Sequence, residues 1–133
     1  MDRIFRGKHV HAFNTNKKFD GTWFEGYLSY ENYINPLDDN YCEKLVDSET
    51  VGQFIGITDR NDRRIFEGDI VRHYNDSASP ECYVLGVIEW SEAFCRWVKR
   101  DRNGKCWGVM KDCVYEVVGN VFDNPELIKD FVS

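Results

Sequence analysis

Residues 51–72 set three short apolar runs between turn-forming residues, and a stretch patterned this way has little choice but antiparallel strands. Phe54 and Ile57 precede the polar Asp59-Arg60-Asn61-Asp62. Ile65 and Phe66 follow it, and Gly68 breaks the backbone before Ile70-Val71. Apolar runs of about four to eight residues bounded by turn chemistry are strand-sized, whereas helices need longer stretches with a 3.6-residue period. The segment therefore reads as strand, tight turn, strand, glycine break, strand.

The same grammar extends over the rest of the chain. Strand-like pieces are expected at residues 3–13 and 22–30, joined through Asp20-Gly21, a good hairpin signal. Residues 31–50 contain the breaker cluster Asn35-Pro36-Leu37-Asp38-Asp39-Asn40, and acids outnumber bases from Pro36 to Thr50. This region reads as a long loop with at most one short strand or helical turn. Strands follow at 53–58, 64–66, 69–74, 83–90, 93–99, 106–110 and 114–122, with the loop 75–81 between two of them. Asn103-Gly104 is the strongest hairpin turn in the chain. Residues 124–132 carry the one helical pattern: Asn124 as cap, Pro125 at the first position, Glu126 at the positive end of the dipole, and Leu127, Ile128 and Phe131 on one side. A weak internal echo links Trp23-Phe24-Glu25-Gly26-Tyr27-Leu28 with Ile65-Phe66-Glu67-Gly68-Asp69-Ile70.

A length of 133 residues suits one full core. The aromatic share of 15% tilts the fold toward sheet, because aromatic side chains fit pleated, half-buried surfaces. A net charge of −6 argues against a general affinity for nucleic acid but leaves room for a local basic patch. No apolar run reaches the roughly 18 residues of a membrane span, and the N-terminus has no apolar signal core, so a cytoplasmic location is expected. Cys42, Cys82, Cys95, Cys106 and Cys113 are irregularly spaced, with no C-x-x-C pair. Reduced thiols are expected, with Cys95 and Cys106 as small hydrophobes within strands.

Three blocks of this sequence resemble the YopX family of phage and prophage proteins. The first is Ile4-Phe5-Arg6-Gly7-Lys8 with Gly21-Thr22-Trp23-Phe24-Glu25-Gly26-Tyr27-Leu28. The second runs from Thr50-Val51-Gly52-Gln53-Phe54-Ile55-Gly56-Ile57-Thr58-Asp59 to Ile65-Phe66-Glu67-Gly68-Asp69-Ile70-Val71. The third joins Gly86-Val87-Ile88-Glu89-Trp90 to Val118-Gly119-Asn120-Val121-Phe122-Asp123-Asn124-Pro125-Glu126-Leu127. The resemblance implies an all-β fold with an SH3-like barrel component, a phage or prophage origin and a bacterial host. It carries no catalytic residues. Gly56, Asp59, Glu67, Gly68 and Asp69 are motif positions expected to be structural. Asp62 stands where the family turn usually has glycine, and the segment 10–19 lengthens the first hairpin. Aspartate tolerates positive φ better than most residues, so the turn should survive.

Several constellations merit comparison with plainer readings. Asp59-x-Asn61 opens like a calcium loop, but Arg64 and Ile70 occupy the positions that need glycine and glutamate. Glu67 and Asp69 flank Gly68, where a small metal-dependent hydrolase could use them; a β-bulge at Gly68, with Asp69 tying the following turn, explains the same residues. His9, His11 and His73 could share a metal, although strand histidines are more often plain polar positions. Arg96, Lys99, Arg100, Arg102 and Lys105 cluster around the 103–104 turn, with Trp97 and Trp107 on its strands. Such a hairpin could bind nucleic acid, provided Trp97 or Trp107 is exposed beside the arginines. Otherwise it is a solvated hairpin whose tryptophans face the core. Tyr30, Tyr33 and Tyr41, near the acidic 36–50 loop, are candidate protein-binding aromatics.

The expected architecture is a single all-β domain spanning 1–133. Residues 1–50 form an N-terminal hairpin and loop layer, and 51–133 form an SH3-like barrel with one short C-terminal helix. A barrel of this size is filled by its own side chains, which speaks against a deep catalytic cavity. The expected function is a non-catalytic, cofactor-free module that binds a host or phage protein. Nucleic-acid binding through residues 96–105 is the first alternative and a metal-dependent hydrolase the second. Open strand edges make pairing with a second copy compatible with this fold.

Overall fold

A computed structural model describes residues 3–10, 21–37, 43–74, 83–111 and 114–132. The fold is all-β: the described residues hold eleven strands and two 3-10 turns. The chain divides into two compact units, Met1–Phe54 and Ile55–Ser133.

In the first unit β1 (Ile4–Lys8), β2 (Trp23–Ser29), β3 (Tyr33–Pro36), β4 (Lys44–Leu45) and the start of β5 (Gly52–Thr58) form an antiparallel sheet in the order β4-β3-β2-β1-β5. β1 and β2 pair as expected, from Ile4↔Tyr27 to Lys8↔Trp23, while residues 11–20 of their connection lie outside the described residues. Residues 31–37 and 43–50 are more ordered than expected. They supply β3, β4 and a 3-10 turn at Ser48–Thr50, capped by Asp47 Oδ1 accepting from Glu49 N–H at 3.1 Å. The breakers Asn35 and Pro36 argue for a loop by local propensity, but burial of Ile34 and Pro36 overrides it. Thr50 fixes this turn to β1: its Oγ1 accepts from Lys8 N–H at 3.0 Å and donates to Asp47 O at 2.6 Å.

The second unit begins with the rest of β5 and β6 (Arg64–Phe66), joined by the 59–63 turn. A five-stranded antiparallel sheet follows: β7 (Asp69–Tyr74), β8 (Tyr83–Ser91), β9 (Arg96–Arg100), β10 (Cys106–Gly108) and β11 (Tyr115–Asn120), in the order β10-β9-β8-β7-β11. Strand alternation sorts its side chains onto two faces. Val71, Ile88, Tyr115 and Val117 share one face and build the core with Ile65, against which Ile55, Ile57, Trp97 and Val109 pack. Ile70, Val87 and Val98 are buried on the other face.

Four local expectations are corrected. Gly68 is not a bulge within one strand. Glu67 and Gly68 turn the chain between β6 and β7, and Gly68 takes φ 90°, as the third position of a type II turn requires. Asp69 ties the preceding segment, since its Oδ2 accepts from Phe66 N–H at 2.8 Å. The irregularity in the sheet falls instead on β11, between Val117 and Gly119. The echo between residues 23–28 and 65–70 dissolves, because Gly26 lies inside the continuous strand β2. Residues 92–95 are a turn, with Cys95 at φ 50°, and both Cys95 and Cys106 are exposed thiols. Cys42, Cys82 and Cys113 lie outside the described residues.

The fourth correction is the C-terminal helix, which is a single 3-10 turn, Pro125–Ile128. Asn124 does not cap it. Its Oδ1 accepts from Asn120 N–H at 3.2 Å, and Asn120 Oδ1 accepts in turn from Phe122 and Asp123 N–H. With the capping side chain committed to the strand, so short a segment has no independent means to nucleate an α-helix. The tail is held by backbone pairing instead: Val132 N–H donates to Arg102 O at 2.9 Å.

Candidate functional site

Two loops of the second unit share one design. Asp59-Arg60-Asn61-Asp62-Arg63 and Asp101-Arg102-Asn103-Gly104-Lys105 are identical at the first three positions and both basic at the fifth, and at the fourth the first has aspartate where the second has glycine. In each, the first residue donates its N–H to the fifth residue's carbonyl, at 2.8 Å, and the fourth donates back to the first. In each, Oδ1 of the leading aspartate accepts from the third and fifth backbone N–H, at 2.9–3.0 Å. The fourth residue is left-handed, Asp62 at φ 61° and Gly104 at φ 81°. This is the three-residue hairpin loop with a bulge at its αL position, not a two-residue Asn-Gly turn. The expectation that Asp62 keeps its turn holds. Asp62→Gly should stabilise the protein by about 0.5 kcal/mol, since glycine removes the αL penalty at some cost in chain entropy. A urea midpoint that falls would refute this.

The loops differ in the second carboxylate oxygen. Asp59 is buried, and its Oδ2 accepts from Val117 N–H on β11 at 2.9 Å. Burial works to raise its pKa, but the Val117, Arg63 and Asn61 N–H donors and the Arg63 charge outweigh that and hold it below the ordinary value. Both carboxylate oxygens are engaged by backbone N–H groups, so the aspartate braces the loop against β11. Asp101 is solvated. Its Oδ2 accepts from Trp107 Nε1 at 3.1 Å, and this bond, with the Lys105 and Asn103 N–H donors and the Lys99 charge, lowers its pKa.

The basic hairpin is dispersed by its own geometry. Trp107 is 49% exposed, fixed at its edge by Asp101, with Lys105 Nζ 4.4 Å from the ring centroid. Trp97 packs toward the core in edge contact with Trp90. The arginines lie elsewhere. Arg96 stretches across Gly108 on the opposite face of the sheet, where a β-carbon would collide with its guanidinium. Arg100 pairs with Glu89 at 2.8 Å and donates to Val132 O at 3.1 Å.

Lys99 is only 4% exposed. Its stem crosses Gly86, whose missing β-carbon leaves the space for it, and its Nζ lies 2.7 Å from His73 Nδ1. Tyr115 stacks at a tilt on the imidazole, 5.1 Å between centroids. Burial and the Lys99 charge lower the His73 pKa, so the ammonium donates to a neutral ring. The unfolded chain takes up that proton first. The contribution of His73 is therefore complete above the unfolded pKa of about 6.5 and is lost as pH falls through the lower folded value. His73→Gln should flatten the dependence of the urea midpoint on pH just below about 6.5. An unchanged slope would exclude His73 as its source. Asp59, also depressed, acts in a lower window, stabilising above about pH 3.9 and losing effect as pH falls through its folded pKa.

Glu67 sits in the turn before β7 and Asp69 is buried against Phe66 N–H, so they form no paired acidic site. His9 lies buried in the first unit, His73 belongs to the second, and His11 is outside the described residues. Among the described residues no three His, Cys, Asp or Glu side chains gather as metal ligands. Tyr30 is 82% exposed at φ 61° in the β2–β3 turn, Tyr33 is half-buried on β3, and Tyr41 is outside the described residues.

Sequence reasoning missed a concavity. A groove of about 370 Å³ opens in the second unit, lined by Tyr83, Val84, Leu85, Arg102, Leu127, Asp130 and Phe131. Strand β8 forms its floor, the C-terminal tail one boundary and the tip of the β9–β10 hairpin another. The sole sequence signal was the apolar spacing of Leu127 and Phe131, read as a helix face docked on the sheet. No curated protein matches the chain. The profile of the family described as "YopX protein" matches residues 7–129, nearly the full length and inclusive of both aspartate loops and the groove floor. The chain belongs to the YopX family.

Proposed function

We propose that this protein is a non-catalytic binding module that takes a segment of another protein into the groove of its second unit. We read that unit as SH3-like, an antiparallel sheet in which β7 to β10 are neighbours in sequence order and β11 returns beside β7, with an interior filled by its own side chains and an action confined to its outside. The observation that carries the reading is the groove itself, with exposed Tyr83 and Leu127 and half-buried Leu85 and Phe131 beside two charged side chains. Concave apolar patches with a few polar groups are the usual form of a recognition site. The partner we propose is a host or phage protein in the bacterial cytoplasm, in keeping with the family resemblance.

Nucleic-acid binding through residues 96–105 is the second reading. Trp107, exposed beside Lys105, favours it. The loss of Arg96 to the opposite face, and of Lys99 and Arg100 to internal partners, weighs against it. Affinity capture from host extract separates the two when the native chain is run beside Leu127→Asp. A protein retained by the first and lost by the second supports the groove. A mobility shift of single-stranded DNA or RNA that survives Leu127→Asp and disappears in Trp107→Ala with Lys105→Glu would replace this reading with the other.

A further inference from the structure

We infer that the groove is read by charge as well as by shape: its partner is an extended polypeptide segment carrying an apolar anchor flanked by one carboxylate and one cation. This rests on the protein-binding reading above and adds the chemistry of the partner. Arg102 comes from the hairpin tip and Asp130 from the C-terminal tail, and both line the same groove around Tyr83, Leu85, Leu127 and Phe131. Among the described residues neither Arg102 nor Asp130 has an ion pair or a side-chain hydrogen bond. Nearby charges are used internally: Arg100 holds Glu89, Arg72 holds Glu116, and Asp101 holds two backbone N–H groups and an indole. Two opposite charges left uncommitted beside one apolar floor, and not joined to each other, are available to a ligand of complementary pattern.

Size and position narrow the ligand. The groove volume lies near the lower end of the roughly 300–1,000 Å³ typical of ligand pockets, so it takes one or two side chains and not a folded element. The charges come from different elements, so a bound segment meets a cation from the hairpin tip and a carboxylate from the tail. Complementary charge placement of this kind fixes register and direction more than it adds affinity. A segment bound in reverse would set like charges together.

Ten-residue peptides with a central Leu-x-Leu test the proposal. One set carries Asp before and Lys after the anchor, one the reverse order, one two acids, one two bases, and one neutral flanks. Binding is read by chemical-shift changes at Leu85 and Leu127 in the full chain. One mixed-charge order should bind about fivefold more tightly than the neutral peptide, as expected of two solvent-exposed ion pairs. The double exchange Arg102→Asp with Asp130→Arg should transfer the preference to the opposite order. The exchange should leave the fold in place, because among the described residues neither side chain holds an ion pair or hydrogen bond, and Arg102 meets the tail by its backbone carbonyl accepting from Val132 N–H. If all peptides bind alike, and the exchange leaves them alike, the charge reading is overturned and the binding reading stands. If no peptide shifts Leu85 or Leu127 at millimolar concentration, both readings fall. Displacement of the best peptide by a single-stranded oligonucleotide would overturn the choice of a protein partner.

Discussion

Asp59→Ala destabilises the second unit by about 3–5 kcal/mol in equilibrium urea unfolding, far more than the same substitution at its twin, Asp101. Three backbone N–H groups, those of Asn61, Arg63 and Val117, lose one common acceptor. The bond to Val117 N–H is buried, and its donor cannot turn to water when the carboxylate goes. An orphaned buried donor costs about 1–3 kcal/mol, and bonds to a charged group are worth about 1.5–3 kcal/mol each. At Asp101 the three bonds, two from the loop and one from an indole, are solvated, and Trp107 Nε1 and the loop N–H groups can bind water instead. The cost there should stay below about 1 kcal/mol. Asp59→Asn keeps one acceptor oxygen and should fall between them. Equal losses at the two aspartates would show that loop geometry alone, and not the link to β11, sets the value.

Gly26→Ala is the second large effect, an expected loss of about 2–3 kcal/mol, from overpacking against backbone that cannot yield. A β-carbon at Gly26 would run into the carbonyl oxygen of Asn35 and lie 2.9 Å from Pro36 Cα, on the neighbouring strand β3. Gly68 is needed for a different reason, its φ of 90°. The substitutions separate by mechanism. Gly68→Asn should recover part of what Gly68→Ala loses, because asparagine tolerates positive φ. Gly26→Asn should be worse than Gly26→Ala, because a longer side chain meets the same wall. A Gly26→Ala chain of native stability, by the midpoint of its urea curve, would mean that β2 and β3 are not packed as closely as described.

These two residues also show what the sequence made legible. The turn at 59–63, the strands Arg64–Phe66 and Asp69–Tyr74, and the hairpin at 101–105 could be read because turn chemistry and short apolar runs are local signals. The distinction between Gly26 and Gly68 was not local: both sit in a Phe-Glu-Gly triplet, and only the approach of β3 tells them apart. The tail failed for a related reason. Asn124, Pro125 and Glu126 make a sound helix start, but the Asn124 side chain is drawn to Asn120 on β11. Buried Lys99 and the groove depend on which strands meet. Lys99 looked like one more base on a basic tip, and nothing in its neighbours predicts that it crosses β8 over Gly86 to reach His73. The repeated aspartate loop, by contrast, was present in the sequence as two aligned pentapeptides and was overlooked in favour of a glycine echo that carried no shared geometry.

The contact between Asp101 and the indole of Trp107 has an optical consequence. An indole that donates to a carboxylate emits differently from one facing water, so this ring acts as a lamp on the hairpin whose tip borders the groove. Acid that neutralises the carboxylate, or a visitor that draws the tip aside, should change its colour while the sheet beneath stays intact.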